Sequence, residues 1–109
     1  MKVTDLLEKG IFTVVNEGYD NDVEISKPFC CDLLSFAMGR APKGAAWVTV
    51  MGNVNTIAVA ELADIACVVL AEGAHLDEVA MSKAKENGIC ILSTDEPIFE
   101  AAEKIMRLL

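Results

Sequence analysis

Three short polar segments hold the residues best placed to do chemistry together: Gly52-Asn53-Val54-Asn55-Thr56, Glu72-Gly73-Ala74-His75 and Ser93-Thr94-Asp95. His75, the only histidine, could exchange a proton with Glu72 or Asp95, the pairing that general acid–base catalysis uses. No nucleophile, base and orienting group are recognisable around it, so a solvated loop histidine is expected and no catalytic residue is assigned. The other chemistry these segments offer is binding. In open α/β sheets ligands sit beyond the carboxyl ends of the strands, and helix N-termini there present N–H groups to an anion. The candidate binding residues are therefore Gly52, Asn53, Asn55, Thr56, Glu72, Gly73, His75 and Thr94. A plainer use competes with this one: Gly52 makes a turn, and Asn55 caps a helix.

Other site chemistries find no support. The four cysteines, Cys30, Cys31, Cys67 and Cys90, contain no C-x-x-C, and an adjacent pair is not a common zinc pattern. No metal ligand set and no cofactor are expected. Cys67 and Cys90 lie within apolar runs, where a thiol behaves as a small hydrophobe. Cys30 and Cys31 are expected ahead of a helix, whose dipole can lower a thiol pKa, although reduced, unreactive thiols are the expected state in a cytosol. Arg40-Ala41-Pro42-Lys43-Gly44 lacks the order of a phosphate loop, and no G-x-x-x-x-G-K-[ST] occurs in the chain.

Charge and length bound the rest. A net charge of −8 with scattered basic residues repels nucleic-acid phosphates. The 109 residues form one domain, residues 1–109, of which 53% are hydrophobic, so a packed core is expected rather than disorder. Glu61 and Asp64 break the best candidate for a membrane span. The amino-terminal residues carry Asp5 and Glu8 without an apolar signal region, so a cytoplasmic location is expected.

The elements that position the polar segments follow from periodicity. The chain is organised around Trp47–Met51, a β-rich apolar run stopped by Gly52. Asn55 is expected to cap a helix from Thr56 to about Asp64, with Val54 and Val59 as its hydrophobic staple. That helix is apolar nearly all round, so cover on two faces is expected, from its own sheet and from another helix or a second subunit. Ala66–Ala71 and Ile89–Leu92 read as continuous apolar strands, the pattern of a parallel sheet covered on both faces. Leu76–Asn87 is an amphipathic helix with Leu76, Val79, Ala80 and Ala84 inward and Gly88 as its stop. Thr94 or Asp95 is expected to cap a last helix whose inward stripe is Ile98, Ala101, Ala102, Ile105 and Leu109.

Upstream, Thr4 is expected to cap a short helix, Asp5 to Lys9. Ile11–Val15 and Val23–Ile25 read as strands, the second closed by Pro28, and a helix runs from Cys31 to about Gly39. These early strands are expected at one edge of the sheet, making it mixed. Successive strand–helix units imply right-handed crossovers and a largely parallel sheet.

The order of short segments resembles a known family. Lys2-Val3-Thr4-Asp5-Leu6-Leu7, Gly18-Tyr19-Asp20-Asn21-Asp22-Val23 and Cys31-Asp32-Leu33-Leu34-Ser35-Phe36-Ala37-Met38 resemble the amino-terminal domain of HPr kinase/phosphorylase. Ala46-Trp47-Val48-Thr49, Val54-Asn55-Thr56-Ile57-Ala58-Val59-Ala60, Val69-Leu70-Ala71-Glu72-Gly73 and Lys83-Ala84 are similar to the related DRTGG domain. The resemblance implies a three-layer α/β/α fold with a largely parallel central sheet, as in the amino-terminal domain of MurF ligases. It also implies a regulatory or accessory role, because the kinase chemistry of that family resides in a separate domain. Small stand-alone relatives beside iron-hydrogenase genes point the same way. The literal Asp-Arg-Thr-Gly-Gly string is absent, and Glu72-Gly73 stands where a glycine pair is expected.

The function expected from these readings is a non-catalytic regulatory or sensing domain. It would bind a small nucleotide- or phosphate-like anion and assemble as a homodimer. The alternative is a protein-interaction adaptor, accessory to a redox or hydrogenase system, with no small-molecule ligand.

Overall fold

Apolar runs and helical patterns resolve into ten elements in the computed structural model, which describes residues 1–109. In chain order they are α1 (Val3–Lys9), β1 (Thr13–Asn16), β2 (Pro28–Cys30), α2 (Leu34–Arg40), β3 (Ala46–Thr49), α3 (Val54–Leu62), β4 (Cys67–Leu70), α4 (Glu78–Asn87), β5 (Ile91–Ser93) and α5 (Ile98–Leu108). One five-stranded sheet has the order β1-β5-β4-β3-β2. The run β2, β3, β4, β5 is parallel, and β1 joins β5 antiparallel. The three expected central strands therefore lie side by side and in the same direction.

Alternation along these strands builds two cores. Ala46, Val48, Cys67, Val69, Cys90 and Leu92 pack with Val3 and Leu6 of α1 and with Ala101 and Ile105 of α5. Trp47, Val68, Leu70 and Ile91 face the other way, against Ala37 of α2, Ile57 and Ala60 of α3, and Ala80 and Ala84 of α4. A strand with one set of side chains under each helical layer must be apolar at every position, which is why these runs are continuous. The fold is the expected three-layer α/β/α arrangement.

Several local expectations change. The two early strand segments do not share an edge. Val23–Ile25 bonds instead to the start of the chain, with Val3 N–H donating to the Val23 carbonyl at 3.0 Å and Ile25 N–H to Met1 at 2.8 Å. Pro28 opens β2, at the far edge from β1, instead of closing an arm. An edge strand tolerates a residue without an N–H. Helix α1 begins two residues earlier than expected, capped by Lys2, whose N–H reaches Asp5 Oδ2 at 2.9 Å. That phase buries Val3 and Leu6, while Thr4 Oγ donates to the Asn21 carbonyl at 2.8 Å. Helix α2 starts at Leu34, not Cys31. The Cys31 carbonyl is held by Trp47 Nε1 at 2.9 Å, which keeps this stretch extended.

The cap of α3 is Asn53, not Asn55: Asn53 Oδ1 accepts the Thr56 N–H at 3.1 Å. The expected Val54–Val59 staple is out of register by the same shift. Both asparagines are competent caps, and burial of Thr56, Ile57, Val59 and Ala60 selects the phase. Asn53→Ala should therefore cost about 1 kcal/mol of stability in urea denaturation, whereas Asn55→Ala should stay within about 0.5 kcal/mol of the parent. Equal losses at both positions would refute the assignment. Helix α3 packs on the sheet between α2 and α4, so helices supply its second cover. Leu62 at its end remains 73% exposed.

Asp77 caps α4 through the Ala80 N–H at 2.8 Å, and Gly88 ends it at φ 65°. Val79, expected inward, is 66% exposed, because Ala80 and Ala84 alone set the buried line. Helix α5 has Pro97 at its cap position and no side-chain cap. Thr94 Oγ accepts the Glu96 N–H at 3.2 Å inside the preceding turn instead. Ile98, Ala101, Ala102 and Ile105 turn inward as expected, but Leu109 is exposed. No helix is long and apolar enough to cross a membrane.

Candidate functional site

The loops after β3, β4 and β5 meet at the carboxyl edge of the sheet and are stitched together by main chain. Gly52 lies so close to the next loop that a Cβ there would fall 2.0 Å from the His75 carbonyl oxygen. Its own carbonyl accepts the Asp77 N–H at 2.9 Å. The loop after β4 is tied onward to the loop after β5: Glu72 N–H donates to the Glu96 carbonyl at 2.8 Å, and Gly73 N–H to the Thr94 carbonyl at 3.0 Å. Glu72 and Gly73 are both left-handed, at φ 58° and 69°. That conformation suits glycine and strains other residues by about 1 kcal/mol. The position where a glycine pair is expected is thus one whose backbone asks for glycine, and Glu72 occupies it under strain.

The expected binding residues separate into two groups. Gly73, His75 and Thr94 come together, with Thr13 and Ser93, around a cleft of about 100 Å³. Gly52, Asn53, Asn55 and Thr56 lie beside it at the start of α3. Within that second group the side chains are unequal. Thr56 is fully buried and has no surface to offer a ligand. The Asn53 oxygen is engaged as the cap, and Asn55 is exposed on the first turn. Glu72 and His75 are both exposed.

One residue at this edge was not among the candidates. Asp32, just past β2, accepts the Thr49 hydroxyl at 2.7 Å and the Val50 N–H at 3.1 Å. It satisfies a fully buried hydroxyl and seals the end of β3. The partners are 17 residues apart in the chain, so no local spacing announces the contact.

Electrostatics sort the two edges of the sheet. The N-termini of α3 and α4, with their positive poles, lie at the carboxyl edge. The seven residues around the small cleft include hydroxyls and an imidazole, with Asp95 the only carboxylate and no lysine or arginine. A larger cavity of about 270 Å³ lies at the amino edge, where α3 and α4 end, among Asp20, Glu61 and Asp64. Helix C-termini and carboxylates both repel an anion. There the Tyr19 hydroxyl reaches the Glu86 carbonyl at 2.9 Å, and its ring lies where Gly88 would carry a Cβ.

Surroundings hold three of the thiols, Cys30, Cys67 and Cys90, in the protonated form. Burial pushes the Cys90 thiol up to about 11 and raises Cys67 further still. Partial burial, then the Asp32 carboxylate, raise Cys30 as well. Cys30 sits on β2 rather than at a helix start, so no helix dipole lowers its pKa.

Comparison with known proteins adds the following. The family model described as the DRTGG domain matches residues 13–108. No curated protein matches the chain. A crystal structure of the CBS and DRTGG domains of the regulatory region of Clostridium perfringens pyrophosphatase, complexed with its activator diadenosine tetraphosphate, has a similar fold. Its TM-score is 0.74 at 13% identity, over 96% of this chain and 45% of that one. This chain thus spans less than half the length of that regulatory region.

Proposed function

This chain belongs to the DRTGG domain family, and on that footing we propose that it is a non-catalytic regulatory domain that binds a small phosphate-bearing anion at the carboxyl edge of its sheet and self-associates. The observation that carries the reading is the stitched rim of three loops around a hydroxyl-lined cleft, beside two helix N-termini. The regulatory region with the similar fold is complexed with a nucleotide activator, which supports the same ligand class. A cleft of about 100 Å³ admits a phosphate group rather than a whole nucleotide. The rest of the ligand would lie across Asn55 and the start of α3. With Asp95 in the lining and no cation there, recognition rests on N–H and hydroxyl donors.

A thermal-shift and calorimetric panel of inorganic phosphate, pyrophosphate, AMP, ATP and diadenosine tetraphosphate, with adenosine as control, tests this. Phosphorylated compounds should raise the melting temperature and adenosine should not. Ser93→Asp, which adds a negative charge to the cleft, should weaken binding at least about tenfold. No response across the panel, or a response indifferent to Ser93→Asp, would remove this reading. The adaptor reading draws on exposed Leu33, Phe36 and Met38 around α2. A stable protein partner captured together with a silent panel would favour it.

A further inference from the structure

We propose that two copies of this chain pair through an outward apolar seam on α5, packed antiparallel about a two-fold axis beside the free edge of β2. This names the surface for the self-association proposed above and rests on that part of it. Helix α5 carries two apolar stripes. Ile98, Ala101, Ile105 and Leu108 pack against the core under the sheet. Phe99, Met106 and Leu109 lie seven and three residues apart on one outward face, the period of a coiled-coil seam, with Ala102 buried at its floor. Phe99 is 69% and Met106 53% exposed, and Leu109 is exposed as well. A single helix needs one such stripe to fold onto its sheet, and on the second Phe99, Met106 and Leu109 stay largely uncovered beside β2.

The surroundings say what shape covers it. A groove of about 410 Å³ runs between α5 and β2, lined by Pro28, Cys30, Phe99, Ala102, Glu103 and Met106. Strand β2 ends the sheet, yet Pro28 withholds an N–H from its outer side. Proline at a sheet edge disfavours addition of a peptide strand. The groove therefore suits helical side chains rather than a foreign strand.

Charge selects which helix. Glu103 and Arg107 flank the seam one turn apart and form an ion pair at 3.4 Å. On a second α5 running antiparallel, the same two charges fall in reverse order. Glu103 of each copy then faces Arg107 of the other, the self-complementarity that a two-fold contact requires. Two bodies of net charge −8 repel one another in general. A patch with bulky apolar side chains and a balanced charge pair is where that repulsion is least.

Sedimentation equilibrium of the full chain, across micromolar to millimolar concentration, tests the proposal. The parent should dimerise in a concentration-dependent way. Met106→Glu should raise Kd about 100-fold, as loss of a central apolar anchor does, with circular dichroism and melting temperature unchanged because the side chain is exposed. Glu103→Arg alone sets like charges together and should weaken the dimer. Adding Arg107→Glu to it should restore Kd to within about threefold of the parent, by reciprocal pairing. A parent chain that stays monomeric throughout overturns both this surface and the self-association reading. A dimer untouched by Met106→Glu overturns the surface alone, and failure of the double exchange to rescue overturns the antiparallel arrangement. None of these outcomes bears on the anion cleft, which the ligand panel decides separately.

Discussion

Gly52→Ala lowers the stability of this domain by about 3 kcal/mol or more, at the upper end of overpacking costs. The reason is a backbone approach rather than an unusual backbone conformation. The new Cβ would lie 2.0 Å from the His75 oxygen and 2.8 Å from its carbonyl carbon. Main chain cannot swing aside as a side-chain tip can, so the loop after β3 must separate from the loop after β4. The Asp77 N–H then loses its bond to Gly52, and the start of α4 is loosened with it. At about 4 °C or more per kcal/mol for a domain near this size, the midpoint of thermal unfolding falls by roughly 12 °C. Gly39→Ala is the control, because nothing lies within 4 Å of a Cβ there. It should be neutral or slightly stabilising, as alanine is a better helix former. Gly52→Ala matching that control in a melting experiment would show that the two loops do not touch as described. The same variant should also weaken any ligand held at the rim, since it pulls apart the loops that frame it.

Trp47→Ala removes the largest fully buried side chain and should cost about 4 kcal/mol or more. Two effects add. The first is the cavity left among Ile57, Val68 and Ala37, where the sheet and the helical layer over it leave little room to collapse. Truncation of a buried aromatic typically costs about 3–5 kcal/mol. The second is the Cys31 carbonyl, which loses the indole N–H now 2.9 Å away. Since a domain of this kind is stable by only about 5–15 kcal/mol, the variant retains a fraction of that margin. Trp47→Phe separates the two effects, keeping most of the volume and losing the hydrogen bond, so it should cost about half as much. Urea unfolding followed by circular dichroism measures both, because the only tryptophan fluorophore is gone. A loss below about 2 kcal/mol for Trp47→Ala would contradict the packing assigned to this face.

How far the amino-acid sequence alone reached can be seen element by element. Its continuous apolar runs at Trp47, Cys67 and Ile89 determined a parallel sheet covered on both faces, because only such strands need apolar side chains on every residue. Its intervening helical patterns, with Gly88 as the stop after Asn87, determined the crossovers that join those strands. The clustering of polar residues in the loops after the strands also marked the carboxyl edge where the rim forms.

The tertiary structure decided what depends on competition between distant partners. Asn53 and Asn55 have equal capping chemistry, and the buried line of α3 chose between them. Val23–Ile25 reads as a strand, but its hydrogen bonds went to the start of the chain, leaving β2 to open at Pro28 on the far edge. Asp32 was invisible as a site residue because its partner, Thr49, arrives from another strand. Thr56 resembled a ligand contact until the fold buried it, and Leu109 read as part of the inward stripe until the end of α5 left it exposed. Periodicity and capping act within about one helical turn or strand and can be read along the chain. Which edge a strand joins, and which of two apolar stripes meets the core, is settled by contacts across tens of residues that no local window contains.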